Sequence, residues 1–166
     1  MNAMGSANVS QGGTTVELLY TETPIAGAYH AFALVTGPDA EQYYARGGTL
    51  ARTEGAGLPN FLGGEGIFKT IDAQYGSYQP GTVDYTTEPV ARQTVLRSGD
   101  PGAYGKFTGI LRNFANGVNT DGIPYRPFTQ NSNSFAFTAV GLLPGATVPM
   151  PQVYAPGYDT ILRRGR

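Results

Sequence analysis

The sequence predicts a single α+β domain in which an antiparallel β-sheet packs against about two helices. Apolar residues alternate with a period of two in the N-terminal part of the chain, then recur at three- and four-residue spacing from Ala103 onward. The strand-like runs are separated by clusters of Gly, Pro and Asp that suit hairpins rather than the long crossovers parallel strands require. At 166 residues the chain is long enough for one domain with a real core and too short for two comfortable ones.

Residues 1–13 are rich in Gly, Ser, Asn and Gln and are expected to fray, and Met1-Asn2-Ala3-Met4 reads as a cloning leader before a native start at Met4. The domain itself is expected over 14–166, ending in a Pro-rich tail. Val16–Tyr20 reads as the first strand. Tyr29–Val35 is the most strand-like run, with His30, Phe32 and Leu34 on one face and Tyr29, Ala31, Ala33 and Val35 on the other. Gly37–Ala40 is a hairpin-sized connection to Glu41–Arg46, which Gly47-Gly48 is expected to stop. An antiparallel pairing of these two runs puts His30 near Tyr44 and Arg46. Thr49–Gly66 reads as a glycine-rich ordered loop around Phe61 and Leu62, Gly66–Gly76 as a strand, Gly76–Asp84 as a turn region, and Val90–Arg97 as a further strand.

The helical part follows. Tyr104, Phe107, Ile110, Leu111 and Phe114 give Ala103–Ala115 an apolar stripe, with Asp100-Pro101 as start and Asn116-Gly117 as stop. A second helix is expected from Asn133, offering Phe135, Ala136, Ala139, Val140 and Leu143 to the core before Pro144-Gly145. Residues 146–166 are expected to lie over the domain.

Composition narrows the function. Charged residues are only 14% of the chain and the formal net charge is −1, so no basic face marks a nucleic-acid site. No apolar run approaches the roughly 18 residues that span a bilayer, and no signal peptide is recognisable, which leaves the compartment open. With no cysteine and one histidine, disulfides, thiolate metal sites and multi-histidine zinc sites are excluded, and no cofactor is implied. Gly55–Gly66 lacks the pattern of a phosphate-binding loop.

The chemistry-bearing stretch is Gln130–Gly141, where Asn131 and Asn133 are candidate N-caps and Ser132 is the hydroxyl best placed at a helix start. His30 is the base to pair with Ser132, and Asn131, Asn133 and the first helical amides are the candidate oxyanion donors. Tyr29, Arg46 and Tyr125 are candidate substrate contacts. Each also has a plainer role: Ser132 as a helix cap, His30 as a hydrogen-bonding strand residue, Tyr44 and Tyr125 as packing aromatics, Arg46 as the partner of a local acid.

A strand carrying His30, then a sheet, then a helix opening Asn131-Ser132-Asn133-Ser134-Phe135 resembles the circularly permuted papain-like families, such as the NlpC-type peptidases and the lecithin retinol acyltransferase group. Their helix opens with an Asn-Cys-Xaa-Xaa-Phe type motif, so His30 matches the family histidine and Ser132 stands where the family has cysteine. The resemblance covers Tyr29–Gly48 and Gln130–Phe135. It implies a permuted papain-like fold, hydrolysis or acyl transfer on a peptide or other amide or ester, and a third polar residue orienting the imidazole. Gln42 fits that role by sequence spacing and Tyr44 by hairpin register. Three readings stay open at Ser132: a native serine hydrolase, a pseudoenzyme that keeps the cleft for binding, and an engineered replacement of cysteine. A β-rich module that binds carbohydrate, peptide or a protein partner needs no catalysis at all. The sequence leaves the oligomeric state open.

Overall fold

The computed structural model describes residues 12–23, 26–48, 70–126 and 128–162. The loop predicted over 49–66, the start of the strand predicted from Gly66, and all but the last two residues of the N-terminal segment 1–13 lie outside the described residues. Among the described residues five strands and two helices follow one another: β1 (Thr14–Glu22), β2 (Tyr29–Thr36), β3 (Gln42–Gly48), β4 (Asp72–Ser77), β5 (Ala91–Ser98), α1 (Ala103–Asp121) and α2 (Ser132–Gly141). The strands form one antiparallel sheet in the order β4-β3-β2-β1-β5, so the chain is an α+β domain of the predicted class. Among the described residues no helix is long and apolar enough to cross a membrane.

Alternation along the strands gives the sheet two apolar faces. Val16, Leu18 and Tyr20 of β1, Ala31, Ala33 and Val35 of β2, and Ala45 of β3 join the buried faces of both helices in the larger cluster. Leu19, Phe32, Leu34, Tyr44 and Tyr78 form a second, smaller cluster on the opposite face. Five consecutive β1 residues are therefore buried, as befits a strand covered on both sides.

The glycine pair expected to end the third strand instead lies inside it. A Cβ on Gly47 would come 2.6 Å from Phe135 Cβ, so the missing side chain is what lets α2 settle on the sheet. Phe135, fully buried, packs at 5.0 Å against the ring of Phe114 and ties the two helices together over that spot.

α1 also differs from expectation. It starts at Ala103 with Gly102 as N-cap, while Asp100 Oδ1 accepts the Gly102 N–H (2.9 Å) without capping the helix. It runs past Asn116-Gly117 to Asp121 because Val118 extends the buried stripe of Phe107, Leu111, Phe114 and Ala115 by another turn, and it stops where Gly122 adopts φ 58°. The added turn carries Asn119, whose amide donates to Ala73 O (2.9 Å) and accepts from Ala73 N (2.8 Å), fastening the helix to the edge strand β4.

Candidate functional site

α2 begins at Ser132, one residue before the expected Asn133, and its N-cap is Asn131 in extended conformation. The Asn131 side-chain oxygen accepts from the backbone N–H groups of Asn133 (2.8 Å) and Ser134 (3.2 Å), while Ser134 Oγ accepts from Asn131 N (2.7 Å), closing a capping box. The amides expected to stabilise an oxyanion are therefore taken up by the helix's own cap. Ser132 is the first helical residue and is 8% exposed.

Asn133 reaches from this helix start to the strand that carries His30. Its Oδ1 accepts from Ala31 N (2.7 Å) and its Nδ2 donates to Tyr29 O (3.0 Å), so the amide grips the β2 backbone on both sides of His30. The same Nδ2 lies 3.0 Å from Pro156 O, and Asn131 Nδ2 donates to that oxygen at 2.9 Å. Two side-chain amides thus converge on one carbonyl supplied by the C-terminal segment. Tyr29 N donates to Tyr154 O (3.0 Å), which extends this contact to β2.

His30 and Ser132 are not brought together. The pleat of β2 sends the imidazole out with Phe32 and Leu34, on the face opposite the one that carries α2. There His30 Nε2 lies 2.8 Å from Asp84 Oδ2, and the same oxygen is 2.6 Å from Arg46 Nε, all three side chains being nearly inaccessible. Arg46 also donates to Gln74 Oε1 at 3.4 Å, and Gln74 Nε2 donates to Asp72 Oδ2 at 2.8 Å.

Neither expected orienter serves His30. Tyr44 lies opposite Leu34 and Gln42 opposite Thr36 in the β2–β3 register, well down the strand from His30. Gln42 Nε2 donates to Thr36 Oγ1 (3.4 Å), and the Tyr44 ring packs at 6.2 Å against Tyr78. Burial raises the Tyr44 hydroxyl pKa, with the Arg46 charge opposing. Arg46, considered as a substrate contact, is instead the partner of Asp84, and Tyr125 is buried among the core residues under the helices. Tyr29 packs its ring against the same core and offers its backbone, rather than its hydroxyl, to the site.

No family model, curated protein or solved structure matches the chain.

Asp84 is the residue that the sequence did not single out. It sits in the turn region after β4 in the left-handed region, at φ 64°, which an aspartate tolerates better than most residues with a Cβ. One signal pointed toward it: the two-residue period places Arg46 on an apolar face with Tyr44, where a cation requires a buried acid. Asp84 also lines a cavity of about 380 Å³ with Thr21, Glu22, Tyr85, Glu88 and Val90. Among the described residues no three His, Asp or Glu side chains gather as metal ligands.

Proposed function

We propose that the domain is a non-catalytic binding module, built on a papain-like frame in which the histidine strand precedes the helix, and that its partner is an extended peptide segment. The observation that carries this reading is the His30–Asp84 contact on the face turned away from α2, which takes from Ser132 the base expected to activate its hydroxyl. The peptide class is supported by the groups that line the seam between β2 and α2. Tyr29 N and the amides of Asn131 and Asn133 are donors spaced for a peptide backbone, and main-chain carbonyls already occupy them.

A fluorophosphonate probe tests the non-catalytic part. Wild-type protein and Ser132→Ala are expected to label equally little, and labelling of the wild type that disappears in the variant overturns the reading. A hydrolase or acyltransferase centred on Ser132 is the second reading. It draws support from the two amides that converge on a single carbonyl oxygen beside the helix start, an arrangement that also suits an oxyanion. It requires a base other than His30.

A further inference from the structure

The seam between the start of β2 and the N-terminus of α2 is filled by the chain itself. Ala155-Pro156-Gly157-Tyr158 closes a turn with Tyr158 N donating to Ala155 O (3.3 Å) and Gly157 at φ 81°, the Pro-Gly pattern of a type II turn. The carbonyl at the apex of this turn, Pro156 O, is the one held by Asn131 and Asn133, and the residue before the turn, Tyr154, gives its carbonyl to Tyr29 N. Ala155 is 2% exposed. A Cβ on Gly157 would lie 2.9 Å from Thr129 O and 3.0 Å from Asn131 Nδ2, so the seat admits glycine alone on two counts, conformation and space.

Downstream, the Tyr158 ring meets Phe137 edge-on at 5.6 Å and Leu162 N donates to Thr138 Oγ1 (3.0 Å). Upstream, residues 146–150 form no helix or strand, and Met150 is 73% exposed even though its carbonyl accepts from Gln93 Nε2 (2.8 Å). The segment is thus seated by directional contacts at the seam and by Ala155 and Leu162, which join the core between the sheet and the helices, and it is tethered by an exposed stretch.

We propose that this seam is a binding site for a peptide carrying a Pro-Gly type II turn, and that residues 153–162 are its occupant in cis, displaceable by a second segment of the same chemistry. The proposal rests on the reading of the domain as a peptide-binding module and names what that module recognises. Specificity comes from the paired amides, which take the carbonyl that a type II turn turns outward at its apex, and from the wall of Thr129 and Asn131, which excludes a side chain at the following residue.

The experiment uses the whole chain with a site-specific protease sequence inserted between Val148 and Pro149. After cutting, a fluorescent synthetic peptide of residues 149–162 is offered to cut and uncut protein, alongside the same peptide carrying Gly157→Ala. The cut protein is expected to keep its circular dichroism and take up the labelled peptide saturably, the uncut protein to take up little, and the Gly157→Ala peptide to bind about tenfold more weakly, as forcing a Cβ into the left-handed region implies. Collapse of the fold once the tail leaves, a folded cut protein that takes up no peptide, or equal binding of both peptides overturns the proposal. Exposing the cut protein to the fluorophosphonate probe separates the two readings: labelling at Ser132 sinks the non-catalytic reading without touching peptide exchange, whereas failed exchange sinks this proposal with Ser132 still unlabelled.

Discussion

His30 Nε2 lies 2.8 Å from Asp84 Oδ2 on the face of the sheet opposite α2, and the carboxylate that holds it also holds the guanidinium of Arg46. One buried anion therefore anchors two strands and a loop. Replacing Asp84 with Asn keeps the size and the tolerance for a left-handed backbone but leaves Arg46 as an uncompensated buried cation, a loss of about 3–5 kcal/mol. Urea unfolding followed by circular dichroism checks this. The double variant Asp84→Asn with Arg46→Met should recover part of the loss, and no recovery would show that the charge is not what matters.

Gly47 makes a second, steric prediction. Its substitution by Ala drives a methyl into Phe135 and should cost about 1–3 kcal/mol, the range for overpacking a dense interior. Thermal unfolding of Gly47→Ala, Phe135→Leu and the pair tests it. The pair is expected to be less destabilised than the sum of the single changes, because the smaller ring makes room for the added methyl.

Asn133 is expected to be more costly to lose than Asn131. Each substitution removes one of the two donors to Pro156 O, but Asn133→Ala also strips buried Ala31 N of its acceptor and Tyr29 O of a donor, whereas Asn131→Ala otherwise removes a helix cap. Losses of about 3 kcal/mol and about 1 kcal/mol respectively are expected. Asn133→Asp keeps the acceptor for Ala31 N and should fall between wild type and Asn133→Ala. Hydrogen exchange at Ala31 N–H reads the same contact directly, and protection unchanged in Asn133→Ala would refute it.

Alkaline pH should unfold the domain through its buried tyrosines. Burial raises the hydroxyl pKa values of Tyr20, Tyr44 and Tyr78 and pushes Tyr43 up from 10.0 to about 12. A raised folded-state value means the unfolded chain releases its protons first, so the stabilisation is complete below pH 10.0 and disappears as pH climbs toward about 12. Ultraviolet absorbance of tyrosinate should rise in step with the loss of circular dichroism across that window. Full ionisation of all tyrosines while the fold persists would contradict it.

Fluorophosphonate labelling completes the set. Wild-type protein should resemble Ser132→Ala at neutral pH, with reaction measured by gel fluorescence against an active serine hydrolase. His30→Ala should leave that background unchanged, since the imidazole faces away from the hydroxyl.

β2 and the start of α2 appear within a residue of where the sequence places them, the strand from its two-residue apolar period and the helix from its capping residues, whereas α2 ends at Gly141, short of the expected Leu143. The ends of β3 and α1 were not legible, since Gly47-Gly48 and Asn116-Gly117 look like stops until the partner surface is known. At the site, Asn131 and Asn133 were found from capping chemistry, yet their partners in residues 154–156 lie outside any local pattern. The His30 assignment went astray for a different reason. Sequence order and the two-residue period gave its face relative to Phe32 but did not say which face the helix would cover. Asp84 could not be chosen from among 12 acidic residues without the fold that closes its turn over Arg46.

β1 sits between β2 and β5, so one of its two neighbours is its immediate successor and the other is the last strand of the sheet. During synthesis the β1–β2–β3 meander can assemble as soon as it emerges, while the opposite edge of β1 waits for β5. That edge belongs to a strand whose Val16, Leu18, Leu19 and Tyr20 are all inaccessible in the finished sheet. A nascent chain halted before Ala91 would present it uncovered, making β1 the segment on which a chaperone would act and from which aggregation of truncated products would start.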